Sequence, residues 1–180
     1  MTAFSCSGVP DINPRLVAEL DALDVPFLQG AEATTAVERM PPGALLAALA
    51  ANPEARLRLA LVPLLLRRPD FATHVRAALD GAAADTTAQL VLKCYYTAAR
   101  YLQQKYRPRL EKITDRVAAL PDLFSAELGL PAAPDPDAGL QSLARRHAAL
   151  SGKAINWLGT YEHAAQRWLA YMERRQAWTQ

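Results

Sequence analysis

A chain of 180 residues with 51% hydrophobic side chains can bury one sizeable core, and a net charge of +2 is too small to single out a polyanion as its main partner. With 27 Leu and 36 Ala against 3 Ile and 8 Val, the composition favours residues that keep their rotamer freedom in a helix over the β-branched ones suited to a pleated surface, which argues against a sheet-based fold. The cysteines, Cys6 and Cys94, stand far apart without CxxC spacing or a histidine cluster, so neither a disulfide framework nor a zinc site is indicated and no cofactor is expected. A reduced, cytoplasmic setting fits, and the 16 Arg against 4 Lys fit a GC-rich bacterial genome. No run of 18 apolar residues and no signal-peptide pattern occurs, so no membrane is expected as a partner.

In chain order, residues 1–12 read as a flexible arm. Asn13 followed by Pro14 is an N-cap with proline at the first helical position and predicts a short helix over 14–23. Residues 24–43 are broken by Pro and Gly, with a turn or two of helix expected within 31–40; a second short helix follows over 44–51. Residues 57–66 are then apolar at nearly every position, too short to span a bilayer and without a polar side to face water. Such a segment must lie inside protein. Pro63 in its interior predicts a kink. Pro69 and Asp70 start a neighbour ending near Gly81. Thr86-Thr87-Ala88-Gln89 reads as a capping box opening the longest helix, 87–107, with Val91, Tyr95, Ala98, Leu102 and Tyr106 inward. A helix over 109–119 and a turn capped by Gly129 complete a core of residues 13–129. Residues 130–136, with three prolines in seven, read as a stiff linker to a C-terminal helical hairpin, 137–180, packed on the core. The expected fold is therefore all-α: a single compact bundle of about seven helices around a buried, proline-kinked central helix.

The charges are unevenly placed. Between Asp11 and Glu54 seven acids face two bases, whereas residues 93–116 hold seven bases and two acids. Opposite charges on one chain predict that these segments pack side by side through ion pairs. The same basic face, with Lys93, Arg100, Gln104, Arg107, Arg109 and Lys112 extended to Arg116 and flanked by Tyr96 and Tyr101, could follow a phosphate backbone and stack on bases.

No Walker loop, GxGxxG, HExxH, GxSxG or paired-cysteine motif marks an enzyme class. Arg68 and His74, six residues apart at the start of a helix, resemble the signature of HEPN ribonucleases, with Pro69 where that family commonly has a polar residue. The resemblance implies metal-independent RNA cleavage, His74 exchanging protons and Arg68 stabilising phosphate charge.

The last helix is the richest in interface residue types. Its apolar arc, which includes Trp157, Tyr161, Trp168 and Tyr171, covers roughly 160° and lies beside a polar stripe of His163, Arg167 and Arg174. Core packing accounts for part of that arc; a partner accounts for the rest. The reading that follows is a non-enzymatic helical protein-interaction module, an adaptor or regulatory subunit of a bacterial cytoplasmic complex, meeting another protein or a second copy of itself. The alternatives are a nucleic-acid-binding protein acting through residues 93–116 and a HEPN-like ribonuclease.

Overall fold

In a computed structural model, the described residues are 13–26, 39–115, 117–133 and 135–179, and they form nine α-helices and one 3-10 helix without a strand. The all-α bundle expected from composition is the observed fold. Residues 1–12, expected as an arm, residues 31–38 of the helical turn expected within 31–40, and Arg116 lie outside the described residues.

Helix α1 (Pro14–Ala22) begins as its sequence requires: the Asn13 side chain accepts from the amides of Arg15 and Leu16, and Pro14 needs no donor. Its end is closed by Asp24, the one non-glycine residue with positive φ (60°) among those described, while the Val25 amide donates back to the Leu20 carbonyl. Helix α2 (Pro42–Ala51) buries Leu45, Leu46 and Leu49.

The leucine-dense segment is buried as its composition demands, with Leu57, Leu61, Val62, Leu64 and Leu65 fully enclosed. Its break falls at Ala60, three residues before Pro63, dividing it into α3 (Ala55–Leu59) and α4 (Leu61–Arg67). Pro63 has no amide hydrogen for the Leu59 carbonyl, and its ring crowds that oxygen. By restarting at Leu61 the chain puts Pro63 in the first turn of a new helix, where no such bond is needed. Each enclosed leucine contributes about 1.5–3 kcal/mol through burial.

The 3-10 helix Pro69–His74 replaces the first half of the predicted antiparallel neighbour, and α5 (Val75–Gly81) completes it. Helix α6 (Thr86–Lys105) is capped by Asp85, whose carboxylate accepts from Ala88 N at 2.9 Å, one residue before the expected capping box. It contacts α2, α4, α5, α7, α8 and α9, so the centre of the molecule is shared by α4 and α6. Its buried polar groups have partners. Tyr96 donates to the Pro121 carbonyl at 2.9 Å, Gln103 donates to Ala118 O at 2.9 Å, and Gln103 Oε1 accepts from Leu120 N at 2.8 Å. These bonds also hold a stretch after α7 (Arg107–Ile113) that has little regular structure of its own. Pro108 lies in the first turn of α7, where it starts that helix rather than only ending α6.

Helix α8 (Pro136–Ser151), capped by Asp135, crosses α6 closely at Gly139. A Cβ there would lie 2.4 Å from a ring carbon of Tyr101, so only glycine fits. Helix α9 (Trp157–Thr179) packs against α4, α6, α7 and α8. Asn156 prepares its start, accepting from Gly159 N at 3.0 Å.

Candidate protein-interaction face

The inner side of α9 is core. Tyr161 is fully enclosed and Trp157 and Trp168 nearly so, while Tyr171 is half-buried. This corrects the expectation that Trp157, Tyr161 and Trp168 face a partner: helices α4, α6 and α8 already cover them. The Trp168 ring N–H donates to the Asp24 carbonyl at 2.9 Å, tying α9 to the turn after α1. His147, only 1% exposed, stacks on Trp157 with ring centroids 3.7 Å apart and shares a hydrogen bond with the Tyr161 hydroxyl through Nδ1. Burial pushes its pKa down to about 4, because charging it would strip an imidazolium of water. It is therefore a neutral packing residue at pH 7.

The outer side of α9 is different. His163, Arg167 and Arg174 are exposed, and spacings of four and seven residues place them on one side of the helix. The acids of α9 are turned aside: Glu162 meets Lys105 at 2.5 Å and Glu173 meets Arg109 at 2.8 Å. Arg175 pairs with Asp24. Among the described residues, Arg167 and Arg174 meet no carboxylate. The stripe runs out to Trp178, whose side chain is 88% exposed. Trp178 is absent from the sequence-derived candidates; seven residues after Tyr171, it looks like the edge of the apolar arc.

The basic segment is largely neutralised. Lys93 pairs with Glu127 (3.1 Å), Arg100 with Asp122 (3.5 Å), Lys105 with Asp137 and Glu162 (both 2.5 Å), Arg107 with Glu111 (2.8 Å) and Arg109 with Glu173 (2.8 Å). Apart from Glu111, which lies within the basic run, these acids follow it in sequence, which corrects the expectation that it pairs with the acidic N-terminal third. The described acids of that third act elsewhere: Asp24 holds Arg67 and Arg175, and buried Glu19 accepts from Met40 N at 3.0 Å. Gln104 and Lys112 remain exposed. Tyr96 and Tyr101 are buried, so neither offers a ring to a base.

Arg68 forks onto Asp70, with Nε at 2.9 Å and a terminal nitrogen at 2.6 Å, and lies 4.7 Å above the Phe71 ring centroid. That hydrogen bonding raises its pKa above the ordinary value. His74 is exposed and meets the same ring edge-on. The geometry brings Arg68 and His74 to one aromatic ring, but the charge meant for a phosphate is already met by a carboxylate.

Among the described residues no three His, Cys, Asp or Glu side chains converge to hold a metal ion, and no helix is long and apolar enough to cross a membrane. Comparison of the chain with protein-family models, curated proteins and solved structures gave no match. The class defined by the fold is an all-α bundle, and its exposed side chains carry the functional reading.

Proposed function

We propose that this protein is a non-enzymatic helical interaction module, an adaptor or regulatory subunit of a bacterial cytoplasmic complex, that binds an acidic protein surface through His163, Arg167, Arg174 and Trp178. The supporting observation is the bare indole of Trp178 at the end of a cationic stripe without carboxylate partners. Tryptophan and arginine are the residue types that dominate interface energetics, and Trp178 stands one helical turn from Arg174 on the same side of α9. This stripe is preferred to residues 93–112 because most of those cations already meet carboxylates.

A photo-crosslinking residue at position 178, compared with one at the exposed position 141, tests the reading in cells. The expected adduct forms from 178 alone, joins an acidic segment of another protein, and disappears in an Arg167→Glu/Arg174→Glu variant whose circular dichroism is unchanged. Trp178→Ala should then weaken the purified complex by about 30-fold, corresponding to about 2 kcal/mol. Equal crosslinking from both positions overturns the proposal; adducts solely between two copies of this chain make the stripe a self-association surface instead.

A further inference from the structure

Helix α8 carries a second cationic feature that α9 does not involve. Ser142, Arg145 and Arg146 of α8 line a cleft of about 330 Å3 against the turn containing Gly129, Leu130 and Pro131. We propose that this cleft binds a phosphate monoester.

Three observations support the assignment. First, seven of the described arginines, Arg67, Arg68, Arg76, Arg100, Arg107, Arg109 and Arg175, each meet a carboxylate. Arg145 and Arg146 are neighbours, meet no carboxylate among the described residues, and no Asp or Glu lines their cleft. An anion in the cleft would offset the positive charge that both guanidiniums bring to its lining.

Second, the site is held in shape before any ligand arrives. Arg146 Nε donates to the Leu128 carbonyl at 2.7 Å, fixing one edge of the guanidinium. Its NH2 group lies 3.7 Å from where a Cβ on residue 129 would stand, and Gly129 adopts φ +65°, which favours glycine. The turn beneath is locked by its own bonds, from Leu128 N to Phe124 O, Gly129 N to Ala126 O and Leu130 N to Ser125 O. Arg145 is steered toward the Ser142 hydroxyl, 3.5 Å away, which adds a donor.

Third, the donors fit phosphate better than carboxylate. Two planar forks and a hydroxyl match the three terminal oxygens of a phosphate monoester, and their double positive charge matches its charge of about −1.5 to −2 at pH 7. A carboxylate would leave one guanidinium uncompensated. Leu130 and Pro131 supply an apolar wall for the carbon skeleton that bears the phosphate. That skeleton is either a free small molecule or a phosphorylated side chain of an extended peptide. The neighbouring amides of Ala132 and Ala133 make no hydrogen bond among the described residues and are available to such a peptide.

The test is titration of the full chain, followed by backbone amide NMR at low salt, with inorganic phosphate, phosphoserine, an Ala-Ala-phosphoserine-Ala-Ala peptide and, as control, acetate. Phosphate and phosphoserine should shift the amides of Gly129, Leu130 and residues 142–149, with acetate at least about tenfold weaker because a charge-assisted contact to the second guanidinium is missing. Arg145→Gln should weaken phosphoserine by about tenfold, a loss of order 1.4 kcal/mol, without changing the melting temperature, since Arg145 anchors no backbone group. A peptide about tenfold tighter than free phosphoserine identifies a phosphoprotein ligand, and equal affinities identify a small phosphorylated molecule; each supports the site. Equal response to phosphate and acetate, or phosphoserine binding unchanged in Arg145→Gln, overturns it. Arg167→Gln/Arg174→Gln should leave the titration as it is, so this inference and the α9 reading stand or fall separately.

Discussion

Trp168 and Trp178 sit ten residues apart on α9, one 4% and the other 88% exposed. Arg174 and Arg175 are neighbours, one open to solvent and the other held by Asp24. Residue type is the same within each pair, so what decides the outcome is which element lies opposite. The inner residues meet α4, α6, α8 and the turn after α1; Arg174 and Trp178 are exposed. A helix rich in aromatics and arginine is thus two surfaces, one holding the fold together and the other open to solvent.

The sharpest way to break this contrast is to truncate both indoles. Trp168→Ala should cost about 3–5 kcal/mol in urea unfolding, through cavity formation and loss of its bond to Asp24, whereas Trp178→Ala should change stability by less than about 0.5 kcal/mol. Equal losses would mean that α9 is not divided in this way.

The second effect is acid sensitivity at the inner side. His147 is neutral in the folded protein, with a pKa of about 4 against an ordinary 6.5. Below pH 6.5 the unfolded chain takes up a proton that the folded chain refuses, so stability is full above 6.5 and falls as pH drops toward 4, by about 3 kcal/mol in all. Denaturation curves across that range should show the slope, and His147→Gln, though less stable, should flatten it. The carboxylates Asp24, Asp122, Glu127 and Glu173, all held below their ordinary values mainly by hydrogen bonds and nearby cations against a desolvation cost, lose their contributions only at lower pH.

A smaller effect is expected at Asp24. Asparagine tolerates its left-handed backbone as well as aspartate does, so Asp24→Asn removes the charge facing Arg67 and Arg175 and little else. A loss of about 1 kcal/mol, shrinking as salt is added, is the expected denaturation result. Smallest of all, Arg175→Gln should cost no more than about 0.5 kcal/mol and Arg174→Gln nothing measurable in the same assay.

Much of this architecture can be read from local signals. Asn13-Pro14 starts α1 where capping chemistry puts it, residues 57–66 have no side suited to water, and the inward arc of α9 contains Tyr161, Trp168, Leu169 and Met172. What escaped has nonlocal causes. Helix α6 looks half-exposed in sequence because Tyr96, Thr97 and Gln103 are polar, but Tyr96 and Gln103 find backbone partners 15–25 residues away and Thr97 bonds to Lys93 O four residues back. The nonlocal ion-pair partners of residues 93–109 are set by how the stretch after α7 and helices α8 and α9 fold back over α6, which net charge per segment cannot express. The break at Ala60 reflects a choice between two ways to accommodate Pro63, a kink or a restart, and the local rule permits both. Of the candidate site, the cations of α9 were legible from spacing; the roles of Trp157, Tyr161 and Trp168 depended on what covers them.

The bond from Trp168 to Asp24 joins positions 144 residues apart, and Arg175 reaches back 151. On a ribosome, the turn that ends α1 is made early, and its partners emerge only when nearly all of these residues have been synthesised. Closing so long a loop comes late and slowly, so the turn at Asp24 gains these two partners last, whereas α1 packs on α2, its neighbour in sequence.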